Sequence, residues 1–208
     1  METKQGYLLV VEDIPDILKL LQATLEFKGY RVITAREGNE ALEAIEKERP
    51  ALIITDILMP KMDGFSLVHQ LRLNPETRDI PVVFLSATYV APEDKTFALN
   101  LGVIRFIEKP VDFEKFLPTI SSLLEQGAKT PAEPLDEFQF YDEYRKRLEA
   151  KLTSKNTQIA RAEHLLETIS DEEKPAFSLS LHQSQNERQE IQKLLDQIHK
   201  VLDSYKQD

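Results

Sequence analysis

Apolar residues along this chain follow two rhythms. In the first 125 or so positions, short apolar runs alternate with stretches whose apolar residues recur every three or four places; beyond residue 137 only the second rhythm remains. Tyr7–Val11 (YLLVV), Ala51–Thr55 (ALIIT) and Pro81–Leu85 (PVVFL) are continuous apolar runs of the kind that strands buried on both faces require. Arg31–Ala35 and Val103–Glu108 are two further strands with more polar content. Between them, Ile14–Lys28 places Ile14, Ile17, Leu18, Leu21 and Leu25 on one helical face, with Pro15 in its first turn and Gly29 as a stop. A second helix opens at Gly38-Asn39, carries Ala41, Leu42 and Ile45, and stops at Pro50. A third runs from Gly64 to Leu73, a fourth from Pro92 to Leu101 before Gly102, and a fifth from Phe113 to Glu125. Five strand–helix units with short connections predict an α/β fold, a parallel doubly wound sheet covered by helices on both faces.

Gly127–Pro134 (GAKTPAEP) has linker composition, and beyond it the alternation stops. Phe138, Tyr141, Arg145, Leu148, Leu152, Lys155, Ile159, Ala162, Leu166 and Ile169 keep a three-four spacing. It resumes after Ser170–Pro175 at Phe177, Leu181, Ser184, Arg188, Ile191, Leu195, Ile198, Leu202 and Tyr205. Such repeats specify coiled-coil helices, each on the order of 45–50 Å long at 1.5 Å per residue. Ser170-Asp171-Glu172-Glu173 fits a capping box that begins the second helix. The expected organisation is a domain over 1–126, a linker over 127–136 and an antiparallel two-helix hairpin over 137–208. One hairpin seam interrupted by Arg145, Lys155, Ser184 and Arg188, with Tyr144, Leu165, Leu179 and Leu194 just off it, predicts self-association, as in a four-helix bundle. A helical spacer is the alternative.

In the first half the polar residues sit at the ends of strands. Glu12-Asp13 follows the first, Asp56 the third, Ser86 the fourth and Lys109 the fifth, so a parallel sheet gathers three carboxylates, a hydroxyl and an ammonium at one rim. Clustered carboxylates raise one another's pKa unless a cation is present, and oxygen ligands suit a hard divalent ion such as Mg²⁺. An ionised carboxylate can attack phosphorus to form an acyl phosphate. The metal, Lys109 and the Ser86 hydroxyl are of the types that neutralise charge on a transferring phosphoryl group.

VVEDIPD, TDILMPKMDG, FLSA and FIEKP together resemble the receiver domain of two-component response regulators, a flavodoxin-like fold, over about Gly6–Gln126. The resemblance implies that Asp56 is phosphorylated by a cognate histidine kinase. It implies Mg²⁺ held by Asp13, Asp56 and the backbone carbonyl of Leu58, with Glu12 acting through a coordinated water. Lys109 and Ser86 would contact the phosphoryl group, Phe106 would be the switch aromatic, and Lys109-Pro110 would be cis. Phe106 lacks the hydroxyl of the tyrosine often found there. Val103-Ile104-Arg105 replaces the usual small and polar residues after Gly102. Pro118 should kink the last helix of the domain or delay its start.

Composition narrows the alternatives. The net charge of −10 is shared: residues 1–128 carry 14 basic and 20 acidic residues, the remainder 12 and 16. Neither part reads as a general nucleic-acid binder, and the arm contains no compact helix-turn-helix, so a DNA-binding transcriptional regulator is a minor alternative. Absence of cysteine excludes disulfides and thiol nucleophiles. No glycine-rich phosphate loop follows a strand, which removes dinucleotide and P-loop readings. No apolar run approaches a membrane span and Met1–Gly6 is unlike a signal peptide, so a cytoplasmic location is expected. A phosphate hydrolase would place a second Asp where Leu58 stands. His164, His182 and His199 fit solvated helix positions, and His69 lies on the predicted third helix. The expected function is therefore a phosphoacceptor switch, not a free-standing enzyme, acting through protein contacts or dimerisation of its helical arm. The competing reading is a scaffold that needs no phosphorylation.

Overall fold

The computed structural model describes residues 6–86, 92–126, 135–168 and 174–205. Its contacts divide into two compact units, Met1–Pro134 and Leu135–Asp208. The first contains β1 (Leu8–Val11), α1 (Pro15–Phe27), β2 (Val32–Ala35), α2 (Gly38–Lys47), β3 (Leu52–Asp56), α3 (Gly64–Leu73), β4 (Val82–Ser86), α4 (Pro92–Asn100), β5 (Val103–Glu108) and α5 (Phe113–Gln126). The five strands form one parallel sheet in the order β2-β1-β3-β4-β5. The continuous apolar runs became its three inner strands, buried along their whole length. The more polar β2 and β5 took the edges, where only one neighbour competes for their backbone groups. From β1 the chain moves outward to β2, then returns across β1 to β3. The strand order therefore reverses between the carboxyl ends of β1 and β3, and that crevice is where open α/β sheets hold ligands.

Side chains alternate between the two sheet faces. Leu8, Val10, Leu52, Ile54, Val83 and Leu85 pack with Leu18, Leu21 and Leu25 of α1 and Phe116 and Ile120 of α5. On the opposite face Phe84 meets Phe65 of α3 edge-on at a 5.2 Å centroid distance, and Phe65 meets Phe97 of α4 at 5.3 Å. Ile14, placed on the apolar stripe of the first helix by its spacing, instead caps α1 and is 47% exposed. Pro118 does not delay α5, which begins at Phe113 and contains the proline in its second turn. Between β4 and β5 the pairing slips: Val82 opposes Val103, but Val83 opposes Arg105. Ile104 is thus one surplus residue, a bulge. It lets Ile104 and Ile107 pack on the same cluster although three positions apart.

A buried arginine braces the far end of this face. Arg72 of α3 is 2% exposed and donates to the carbonyls of Ile80 (3.1 Å), Leu101 (3.0 Å) and Gly102 (3.1 Å). Burial lowers its pKa to about 10, partly offset by the charge of Asp79.

The second unit is an antiparallel hairpin of α6 (Glu137–Thr168) and α7 (Lys174–Ser204). Partner positions fall in α7 as they rise in α6: Phe138 meets Tyr205 (6.0 Å between centroids), Lys155 meets Glu187 (2.7 Å) and Glu163 meets Gln185 (3.3 Å). The 32 and 31 residues of the helices correspond to roughly 48 Å each. Leu148, Ile159, Ile191, Leu195, Ile198 and Leu202 of the predicted seam are buried, whereas Phe138, Phe177 and Tyr205 at its ends are 40–47% exposed. Arg145 does not weaken the seam from within; it turns to Asp142 (2.8 Å) and Glu149 (2.7 Å) on its own helix. Phe140, off the seam by its spacing, is fully buried, with its ring 5.0 Å from Tyr141 and 5.6 Å from Tyr144. Asp136 caps α6, its carboxylate accepting from the Gln139 amide. Most of the expected linker, Ile169 and the expected capping box at Ser170–Glu173 lie outside the described residues.

Candidate functional site

Four strand ends meet at one rim. Val11 pairs with Thr55, so Glu12-Asp13 leaves β1 beside Asp56, the last residue of β3 rather than the first residue after it. Carboxylate oxygens of Glu12, Asp13 and Asp56 lie within 4.8 Å of one another. Glu12 is fully buried, Asp56 is 8% exposed and Asp13 is half-buried. The Ile57 amide donates to Asp56 Oδ1 at 2.7 Å, fixing one carboxylate oxygen and leaving the other for the rim. Lys109 reaches in from the end of β5, its Nζ 2.6 Å from Glu12 Oε2 and 2.9 Å from Asp56 Oδ2. The Lys109 amide in turn donates to the Ser86 carbonyl (2.7 Å), which places Ser86, itself 8% exposed, beside the same rim. The Lys109-Pro110 bond is cis.

Electrostatics follow from crowding. Burial raises the Glu12 pKa, with the charge of Asp56 adding to it and the Lys109 hydrogen bond pulling back. Burial raises that of Asp13 as well, again reinforced by Asp56. For Lys109 burial acts downward, but Asp56 and Glu12 together outweigh it and hold the ammonium charged. One cation therefore serves two carboxylates while a third stands close by. That donor set consists of hard oxygens at the spacing of shared coordination and fits a divalent ion of the Mg²⁺ type better than a softer metal.

Two further residues are named from the sequence, one for its ring and one for its backbone carbonyl. Phe106 is half-buried on β5 and packs edge-on against Phe84, its pairing partner on β4, at 5.6 Å. Leu58 lies in the β3–α3 connection with its side chain 39% exposed. That connection is held tightly at its α3 end. Gly64 donates its amide to the Ile57 carbonyl (2.8 Å), and a Cβ there would lie 2.4 Å from the Asp56 carbonyl oxygen, so only glycine fits. Asp63 caps α3 by accepting from the Ser66 amide at 2.7 Å. His164 and His182 are exposed and His199 is half-buried on the hairpin, while His69 is buried in α3.

Comparison with known proteins places this geometry. A family model described as the response regulator receiver domain matches residues 8–121. The transcriptional regulatory protein GlrR of Escherichia coli is 38% identical over 129 residues, covering 62% of this chain and 28% of that protein. An uncharacterized 14.6 kDa protein of Leptolyngbya boryana is 41% identical over 105 residues, covering 50% of this chain and 79% of that protein. This chain thus spans little more than a quarter of GlrR. Among solved structures, the signal receiver domain of a histidine kinase from Syntrophus aciditrophicus superposes with a TM-score of 0.54 at 37% identity, covering 58% of this chain and 91% of that one. The chemotaxis response regulator CheY4 of Vibrio cholerae gives 0.54 at 32%, covering 58% and 99%.

Proposed function

The chain belongs to the response regulator receiver domain family, and from that premise we propose that Asp56 accepts a phosphoryl group from a cognate histidine kinase. The observation that carries this reading is the Lys109 ammonium bridging Glu12 and Asp56 at the rim where β1, β3 and β5 end. Asp56 Oδ2 attacks phosphorus, the phosphorus–nitrogen bond of the donor phosphohistidine breaks, and the imidazole leaves as it regains a proton. Lys109 and the Ser86 hydroxyl take up the charge of the transferred oxygens. Mg²⁺ would be held by Asp13, Asp56 and the Leu58 carbonyl, with Glu12 behind a water, and would neutralise the remaining charge there. Phe106 follows the displacement of Ser86 and carries it to the β4–β5 edge.

Output runs through α6 and α7, which we propose associate with a second copy. Leu165, Phe177 and Leu179, 41%, 40% and 75% exposed, leave apolar surface for it. No described helix is long and apolar enough to cross a membrane, and the proposed location is the cytoplasm. The transcriptional regulation in the name of GlrR is not carried over to this chain, because so little of that protein is matched.

The test uses the intact chain with acetyl phosphate and Mg²⁺, read by intact mass and then by sizing with beryllofluoride. One phosphoryl group on the native chain and none on Asp56→Asn is the expected result. Labelling that survives Asp56→Asn overturns the site, and partner binding or a dimer unaffected by Asp56→Asn favours the scaffold reading. A monomer at high micromolar concentration removes the proposed association.

A further inference from the structure

The connection between Asp56 and α3 contains a strained turn whose support comes from elsewhere in the fold. Met62 donates its amide to the Pro60 carbonyl at 2.7 Å, closing a three-residue γ-turn with Lys61 at its centre and φ +62°. That form of the turn is rare, and a non-glycine residue keeps it only where its surroundings over-determine it. The surroundings are the first turn of α2, more than twenty residues earlier in the chain. Gly38 donates its amide to the Met62 carbonyl at 3.1 Å. The Met62 side chain lies directly over Gly38, so that a Cβ there would come within 2.5 Å of Met62 Cγ and 2.8 Å of Met62 Cβ. Lys61 Nζ reaches Glu37 Oε1 at 2.7 Å, and Glu37 is 7% exposed. Three contacts therefore press one turn onto one helix end, and the missing side chain of Gly38 leaves room for the closest of them.

We propose that the first turn of α2 is a seat for the phosphoacceptor connection, with Glu37 and Gly38 acting as positioning residues for Leu58 and Asp56 through Lys61 and Met62. The connection is anchored at its other end by Gly64 against the Asp56 carbonyl, so unseating it at Met62 frees the segment between. Misplacement of a reacting group by about 1 Å costs up to roughly 10²-fold in rate. A methyl group at position 38 has to displace Met62 by a comparable distance. The inference rests on the phosphoacceptor reading of Asp56 only for its kinetic consequence; the seating itself is independent of it.

The test compares the full chain with Gly38→Ala, Met62→Ala, the double variant and Glu37→Gln. Trypsin cleavage after Lys61, followed by mass spectrometry in EDTA, reads the seating, with cleavage after Lys115 in α5 as the internal reference. Labelling by acetyl phosphate with Mg²⁺ reads its consequence. Gly38→Ala should raise cleavage after Lys61 relative to Lys115 and slow labelling, each by roughly tenfold. The double variant, in which the smaller residue 62 yields to the new methyl, should recover most of both. Native behaviour of Gly38→Ala, effects that persist in the double variant, or an equal rise at both cleavage sites would overturn the proposal. Should Gly38→Ala fail to fold, Glu37→Gln decides, since it adds no bulk: faster cleavage after Lys61 supports the seat and an unchanged rate sinks it. If the native chain takes no label, the phosphoacceptor reading fails, and the proteolysis arm still judges the seating alone.

Discussion

Replacing Lys109 by methionine keeps the length of the side chain but withdraws the ammonium shared by Glu12 and Asp56. With separations of 2.6 and 2.9 Å, each contact represents roughly 6 kcal/mol of gross attraction at an effective dielectric constant near 20. Desolvation of the three groups cancels several kcal/mol per ion, so the gross figure is not the outcome. What decides it is the charge left behind: the Glu12 side chain is fully buried and that of Asp56 is 11% exposed. Stripping the partner from a buried pair costs about 3–5 kcal/mol. Because the rim is partly wetted at Asp56, we expect about 3 kcal/mol, measured by urea unfolding at neutral pH in EDTA. Three conditions should shrink the loss. Saturating Mg²⁺ supplies another cation. Lower pH protonates Glu12, whose pKa burial already raises and the missing ammonium raises further. Glu12→Gln in the same chain removes the orphaned charge. A loss below about 1 kcal/mol, or an equal loss with and without Glu12→Gln, would refute the electrostatic account of the rim.

Three other perturbations probe separate links. Phe65→Ala empties the space between Phe84 and Phe97 and should cost about 3–5 kcal/mol in urea unfolding. Arg72→Met leaves the carbonyls of Ile80, Leu101 and Gly102 without their donor; the same measurement should show about 2–4 kcal/mol lost, although a buried charge goes with it. The rise in melting temperature on adding Mg²⁺ should fade as pH falls from about 7 toward about 4.5, because Glu12 and Asp13 have raised pKa values and bind protons in competition with the ion. The sign is fixed by those shifts: a raised carboxylate favours the folded apo protein at low pH and gives that advantage up as pH climbs through its folded pKa.

The inner strands could be read from the sequence because a strand buried on both faces is made mostly of apolar residues, and β1, β3 and β4 are apolar up to the polar residues at the carboxyl ends of β3 and β4. The limits of α3 and β5 were legible for a local reason, since Asp63-Gly64 and Gly102 are strong boundary signals. Local pattern also located Glu12, Asp13, Asp56, Ser86 and Lys109 at strand ends, and parallel geometry then brought those ends together. It could not say that Lys109 bridges two of the carboxylates, because side-chain reach across three strands is a tertiary fact. Arg72 reads as an ordinary surface residue of an amphipathic helix, and only the carbonyls of the α3–β4 connection and the α4–β5 turn explain its burial. The contact of Glu37 and Gly38 with Lys61 and Met62 was equally invisible. Nothing in either segment announces a partner twenty-four residues away. In the arm the spacing found the seam but not Phe140, a buried ring that lies off the heptad positions.

The slip in pairing after Val82 also fixes the phase of everything downstream on β5. A pleated strand turns over with every residue, so without the surplus at Ile104 the ring of Phe106 would leave the face it shares with Phe84 for the face that carries the α1 and α5 cluster. Lys109 would stop about 3.3 Å short or long of the carboxylates. Chain length between Gly102 and Lys109 is therefore as much a determinant of charge placement as the lysine itself. A one-residue deletion of Ile104 should disable the rim while leaving Glu12, Asp13, Asp56, Ser86 and Lys109 all in the protein.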